Sequence, residues 1–462
     1  MKSFKTLLAS VAILTCATAV QAQTVVRITG STAFRTAMNN GIKNIFDAGV
    51  TIGHTGSSFT GSSQVIFKGN IGGNPVIVKT SMGGSVGGIY TTSEGVAINY
   101  QPDTAVDGFT PGTTTGSLAS GAASELPDAT MSDTFQASTL FNTNVLQGGP
   151  VGIVPFQWVV SRGLASTSFN LNTTSGSNIA LIVGNVATGI TAGSSIKGNS
   201  NIPNGTVVGT VTVVGSDTQI TLVASQSGAA VNATATASGT ATDFAAAAPI
   251  DNITPQLAQV LYQAGSVSLA TFTGNPADNT KLVFGLGRDP DSGTRLTAFA
   301  ESGIGTNSVV KQWQPTTAGG AVTSQILYPG ATFFGSVVYA NGDNGYGSGG
   351  TLAGVMGNTT SAISGHYIAY AGTSDATAAV NAGAKALKWN GVAYSLQATQ
   401  EGLYTFWGYE HLLYTQATND NAAKKAVVDA LANQIINVES PIKLSDMKVA
   451  RNTDGGQVIQ NY

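Results

Sequence analysis

GRDPDSGTR, residues 287–295, packs two arginines and two aspartates around Ser292-Gly293-Thr294, in a chain of 462 residues of which 9% are charged. KLVFGLGR (281–288) reads as a strand running into it, and RLTAFAES (295–302) continues as a helix. If Ser292 caps a helix that begins near Thr294, the first-turn N–H groups are free and the helix dipole places about half a positive charge there. Arg288, at the strand end, can fold its guanidinium over the same point and grip an oxyanion through two parallel hydrogen bonds. The plain alternative is a capped helix with Arg288 paired to Asp289 or Asp291.

Three earlier segments carry related chemistry. RITGSTAFRTAM (27–38) is a strand, a Gly30 turn, and Ser31-Thr32 opening a helix expected over Thr32–Asp47. TSMGGSVGGIYTT (80–92) sets Ser81 and Ser85 among four glycines after the strand PVIVK, and glycines let backbone N–H groups line a concave nest. ATMSDTFQ (129–136) places Asp133 between hydroxyl residues. In an anion pocket, that carboxylate would accept a hydrogen bond from an anion still carrying a proton and disfavour a fully ionised one, favouring hydrogenphosphate over sulfate.

The compartment is read from the first residues. Lys2, Lys5, the apolar run LLASVAILTCATAV and the small-residue end VQA form a secretory signal, residues 1–22, cut after Ala22. The single cysteine, Cys16, lies within it, so the mature chain has no disulfide or thiolate chemistry, and no lipid anchor is expected. Loss of two lysines from 20 basic residues, against 23 acidic ones, leaves the mature chain acidic. That balance excludes a nucleic-acid binder, which needs clustered Lys and Arg. No later apolar run spans a bilayer. No cluster of His, Cys and carboxylates suggests a metal, and no cofactor is expected.

From Thr24 to about Arg162, short apolar strands (TVVRITG, NPVIVKTS, EGVAINY, VGIVPFQWVVS) alternate with loops and helix, an α/β texture. Residues 164–243 change character: almost no charge, and β-branched runs between Gly, Asn and Pro turns. They read as an all-β insert with strands near Ile179–Val183, Thr206–Val214 and Gln219–Ala224. From Pro249 the α/β texture returns, with a helix in ITPQLAQVLYQAG capped by Thr254 and a last amphipathic helix in DNAAKKAVVDALANQIIN. The four tryptophans, Trp158, Trp313, Trp389 and Trp407, read as packing residues.

The order of these segments resembles the phosphate-binding periplasmic proteins of the type II solute-binding fold: a Gly-Ser/Thr turn, a Gly/Ser nest, Ser-Asp, GGPVGIVPFQWVV (148–160), then Arg-x-x-x-Ser-Gly-Thr. SAISGHYIAYAG (361–372) is similar to that family's Gly-x-Ile-Gly-Tyr strand, and EGLYTFWGYEHLLYT (401–415) to its return into the first lobe. The resemblance implies a two-lobed α/β protein, periplasmic or secreted. Residues 23–150 with 404–462 would form lobe one, residues 151–163 with 244–403 lobe two, and 164–243 the insert. It implies Ser31, Thr32, Ser85, Asp133, Arg288, Ser292, Gly293 and Thr294 as ligands of phosphate or a similar oxyanion, no enzymatic activity, and a membrane ABC transporter as the kind of partner that could receive the solute. The chain departs from the family at Asp289-Pro290-Asp291, where a small or polar residue and Asp-Gly are usual.

Two other functions compete. Gly83-Gly84-Ser85-Val86-Gly87 fits the nucleophile elbow of serine hydrolases. That motif needs a helix directly after the serine, for which VGGIYTT is a poor former, and a histidine base, for which only His366 and His411 follow. Alternatively, the β insert is the working part of a non-catalytic surface or adhesion protein. Gly345, Gly347 and Gly350 match Gly-x-Gly-x-x-Gly without a framing strand and helix, and are read as a loop.

Overall fold

The computed structural model describes residues 23–460 except 185, 186, 188, 226, 319–320 and 358–363; the expected signal segment lies outside the described residues. Alternating apolar residues of the first segments become β1 (Thr24–Gly30), β2 (Thr51–His54), β3 (Gln64–Ile71) and β4 (Asn74–Ser81). Between them lies α1 (Arg35–Ile45), and after β4 comes α2 (Ser85–Ser93). β5 (Ala129–Ser132) and the long β6 (Gln147–Val160) follow.

The insert is a closed six-stranded barrel: β7 (Ser166–Thr173), β8 (Ile179–Ile182), β9 (Ser195–Lys197), β10 (Thr206–Val214), β11 (Asp217–Ala224) and β12 (Ala237–Ala245). Closure leaves no free edge, the usual solution for a small antiparallel sheet. Leu171, Ile182, Val208, Ile220, Leu222 and Phe244 fill its interior. Its first and last strands pair along their length, and where the chain leaves and rejoins the body, Gly163 N–H donates to Ala246 O at 2.9 Å. The barrel thus occupies 166–245, two residues later at both ends than the composition shift suggests.

The body then resumes with α3 (Pro255–Ala264), β13 (Ser266–Ser268), β14 (Leu282–Gly285), α4 (Gly293–Glu301), α5 (Gly349–Met356), β15 (Gly365–Gly372), α6 (Thr373–Asn381), β16 (Trp407–Tyr414) and α7 (Ala422–Gln434). Thr254 caps α3 as expected, accepting from Leu257 N–H.

One mixed sheet runs through the α/β body in the order β13-β14-β15-β6-β16-β5-β1-β4-β3-β2, with short strands at Thr114–Thr115 and Lys385–Ala386 completing it. β1 is parallel to β4 and β5 on one side, and β14 is parallel to β15 on the other. Between these parallel groups, β6 and β16 run antiparallel to each other and to their outer neighbours. This is a two-lobed α/β fold in which two crossing strands join the lobes. Trp158, Trp389 and Phe406 stack beside the crossing with ring centroids 5.7–5.9 Å apart, a packed hinge rather than a platform. No helix among the described residues is long and apolar enough to cross a membrane.

Candidate functional site

Parallel strands deliver their carboxyl ends, and the loops that follow them, to one edge of a sheet, where open α/β folds bind ligands. Here those loops carry Ser31-Thr32 after β1, Ser85 after β4, Asp133 after β5 and Arg288 after β14. The structure brings all of them to the seam between the lobes.

Asp133 is the centre. Only 1% exposed, it accepts from the Ser85 hydroxyl at 2.5 Å and from the Thr294 hydroxyl at 3.3 Å, while its own N–H donates to Ser85 Oγ at 3.2 Å. Ser85 follows β4 and Thr294 lies on α4 after β14, so a single carboxyl ties the two parallel groups of the sheet together. Burial pushes Asp133 above the usual carboxylate range, opposed by the Ser85 hydrogen bond, the Arg288 charge and Thr294. Gly293 has no room for a side chain: a Cβ there would stand 1.7 Å from Asp133 Oδ1 and 2.7 Å from Ser85 Cβ. The motif's glycine is therefore required by contact across the seam.

Arg288 and Arg295 have different fates. Arg295 is neutralised by Asp343 at 2.5 Å and lies over the Phe299 ring. Arg288 is 2% exposed, yet no carboxylate comes within ion-pair distance among the described residues. Its Nε donates to Tyr346 O at 2.9 Å, and Nη2 donates to Gly347 O at 3.0 Å and to Thr32 Oγ1 at 3.5 Å. Pairing with Asp289 or Asp291, the plain alternative, does not occur. A buried guanidinium held by carbonyls and a hydroxyl, with carboxyls such as Asp133 and Asp375 near but none in direct contact among the described residues, is suited to an anion.

Ser292 caps α4 as expected, accepting from Arg295 N–H at 3.3 Å, and helix geometry leaves the first-turn N–H groups of Gly293 and Thr294 without intrahelical partners. Asp291 takes an unexpected place. Its carbonyl accepts from Val86 N–H at 2.9 Å and Gly87 N–H at 3.3 Å, capping α2 from the opposite lobe. Burial, and then repulsion from Asp289, push its carboxyl up to about 7; Asp289 itself is pushed up to about 6 by burial.

Several expectations change. The helix expected over Thr32–Asp47 begins at Arg35, so Ser31 and Thr32 lie in the turn before it, and no side chain caps α1. Thr32 meets Arg288; Ser31 is fully buried, and its hydroxyl has no partner in this conformation. The Gly/Ser nest is α2 itself, because tertiary packing overrides propensity: a Cβ on Gly88 would stand 2.5 Å from Gly30 Cα. The helical objection to a nucleophile elbow at Ser85 therefore fails. The histidine objection stands on other ground: Ser85 is bonded to Asp133, while His366 and His411 bond the carbonyls of Ser161 and Ser132. Instead of an open cleft, the groups around Asp133 fill the space with their mutual contacts. A cavity of about 250 Å³ opens at the rim of these groups, beside Val86, Ser292 and Arg295, and one of about 590 Å³ lies between the barrel and the α/β body.

Sequence reading missed four contributors. The turn at 345–348 supplies the carbonyls that hold Arg288, and Gly345 is needed because a Cβ would stand 2.5 Å from Arg288 O; Gly350, expected in a loop, lies in α5, which Ser348 caps. Arg35 and Asp375 flank the seam; burial raises the Asp375 carboxyl while Arg288 and then Arg35 oppose it. Glu410, on β16, lies beneath Asp133; a lone acid in the apolar run WGYEHLLY was its signal.

No protein-family model and no curated protein matches the chain. Among solved structures, it is similar to one from Clostridium perfringens described as a phosphate ABC transporter substrate-binding protein with bound phosphate: 12% identity, TM-score 0.39, covering 91% of this chain and 99% of that one. An ABC-type phosphate transport receptor from Vibrio cholerae gives 11% identity, TM-score 0.40, and the same coverages of 91% and 99%. A possible phosphate binding protein from Planctomyces limnophilus gives 11%, 0.34, 89% and 98%. At these scores and identities the likenesses assign no role to any residue of this chain.

Proposed function

We propose that this chain is an exported solute-binding protein that captures an oxyanion, phosphate before sulfate, between its two lobes. Thr32, Ser85 and Asp133 form the wall of lobe one (23–150 with 404–462), and Arg288 with Ser292–Thr294 the wall of lobe two (151–163 with 244–403). The carrying observation is Arg288: a buried cation with no carboxylate within ion-pair distance among the described residues, set across the seam from Thr32. An anion admitted by parting the lobes exchanges the Asp133 contacts of Ser85 and Thr294 for its own. Asp133 then accepts from a proton-bearing anion oxygen, which sulfate lacks at neutral pH. Closure excludes water and strengthens each of these bonds. Export and delivery to a membrane ABC transporter belong to the same reading.

Thermal denaturation of the purified chain with phosphate, sulfate, molybdate and organic phosphates is the first test; the preferred anion raises the melting temperature with concentration. No stabilisation by any tetrahedral anion would sink the reading.

A further inference from the structure

A second carboxyl lies under the first. β16 pairs antiparallel with β5 as far as His411 opposite Ser132; Glu410 and Asp133 are the next residue of each segment, near enough for their charges to interact. The Glu410 carboxyl is turned to the side that carries the site, where Asp133 and the Ser31 hydroxyl act on it. On the other flank, Glu410 is paired with Gly152, which offers no side chain.

Glu410 is 0% exposed, and among the described residues neither carboxyl oxygen makes a well-formed hydrogen bond, the Ser31 hydroxyl lying at the margin of one. Nor is there a Lys, Arg or His within ion-pair distance of it among the described residues. The polar groups facing it are the Ser31 hydroxyl, after β1, and Asp133, after β5. Ser31 is equally buried, and its hydroxyl is equally unpartnered. Three buried polar atoms, Ser31 Oγ and both Glu410 carboxyl oxygens, thus face one another at the foot of the seam without a well-formed hydrogen bond among the described residues. Native interiors rarely leave such groups unpaired, and their clustering calls for a proton or a bridging group between them.

We propose that Glu410 is a proton-bearing acid that hydrogen-bonds Ser31 and leaves Asp133 as the only charged carboxyl on that wall, so that it positions the Ser31–Thr32 turn and fixes the charge the anion meets. Burial is the first cause holding Glu410 well above its ordinary range, and the Asp133 charge is the second; the Ser31 hydroxyl opposes them weakly. Rising pH releases that proton to solvent and places a second negative charge behind the anion. The ligand half of the proposal rests on the function proposed above; the protonation half does not.

Two measurements on the full mature chain separate these halves. Infrared spectroscopy with carbon-13-labelled glutamate should show a protonated carboxyl band at neutral pH that vanishes on unfolding and is missing from Glu410→Gln. Aspartates are silent in this experiment, and the half-buried labelled acids Glu301 and Glu125 are paired to Arg451 and to Arg27 and Lys79. Absence of the band from the folded wild-type protein overturns the proposal, whether or not phosphate binds and whether or not the variant folds. Calorimetry with inorganic phosphate should find Glu410→Gln within about twofold of wild type at neutral pH, and the ratio of wild-type to variant affinity should fall as pH rises. Taking the ratio cancels the ionisation of phosphate itself. A folded Glu410→Gln protein that has lost about tenfold or more at neutral pH overturns the positioning role, because the charge would then be required.

Discussion

The barrel and the interlobe seam are built on opposite rules. The barrel buries apolar side chains, and its charged residues, Lys197, Asp217 and Asp243, all stay at least partly exposed. The seam buries Asp133, Arg288, Asp289, Arg295, Asp343 and Glu410, drawn together from distant parts of the chain. Charge removed from water is costly unless it is paired, and of these only Arg295 and Asp343 form an ion pair. A fold selected for stability alone has no use for the rest. The contrast separates a region made to hold its shape from one made to hold something else.

Breaking that contrast should hurt binding at one place and stability at the other. Arg288→Ala leaves a captured anion under-neutralised and should cost about 2–5 kcal/mol of phosphate affinity by calorimetry. Leu222→Ala empties part of the barrel core; it should cost about 2–5 kcal/mol of barrel stability in denaturant while phosphate affinity stays unchanged. Coupled loss of affinity would show that the barrel and seam are not independent. Gly293→Ala drives a methyl into Asp133 and Ser85, a strain of about 1–3 kcal/mol that should appear as weaker anion binding.

Asp291 sharpens the comparison through pH. Its carboxyl sits near 3.8 when unperturbed and is pushed up to about 7 in the folded chain, so its neutral form is the one the closed seam tolerates. The contribution is therefore complete below about pH 4 and is lost as pH rises through about 7. Melting temperature should fall over that interval, and Asp291→Asn should flatten the fall; a parallel decline in the variant would remove Asp291 from the account. The smallest effect concerns selectivity: Asp133→Asn should narrow the preference for phosphate over sulfate, read from paired calorimetric titrations.

Much of this division was legible in the sequence. Alternating β-branched runs gave β10 and β11 closely, while β7, β9 and β12 escaped, since STSFNLNT and ASGTATDFA show little alternation and owe their pairing to barrel closure. The Arg-x-x-x-Ser-Gly-Thr turn revealed a capped helix and an arginine, because both are local. What fixes that arginine is not local: Tyr346 and Gly347 come from a loop dozens of residues later, dismissed for lack of a framing helix. α2 was misjudged for the same reason, its glycines being demanded by Gly30 and Asp291 rather than by helix propensity. Glu410 gave a faint sign, an acid among apolar strand residues, but its neighbour Asp133 is known only from strand register.

The hydrogen bond between Gly163 and Ala246 has a kinetic meaning. Joining the ends of a long flexible segment costs conformational entropy, and β15 must find β6 across everything between them. A barrel that forms early draws its own two ends together and shrinks that search to the span of a tight turn. The chain then assembles its second lobe as though the interruption were scarcely there.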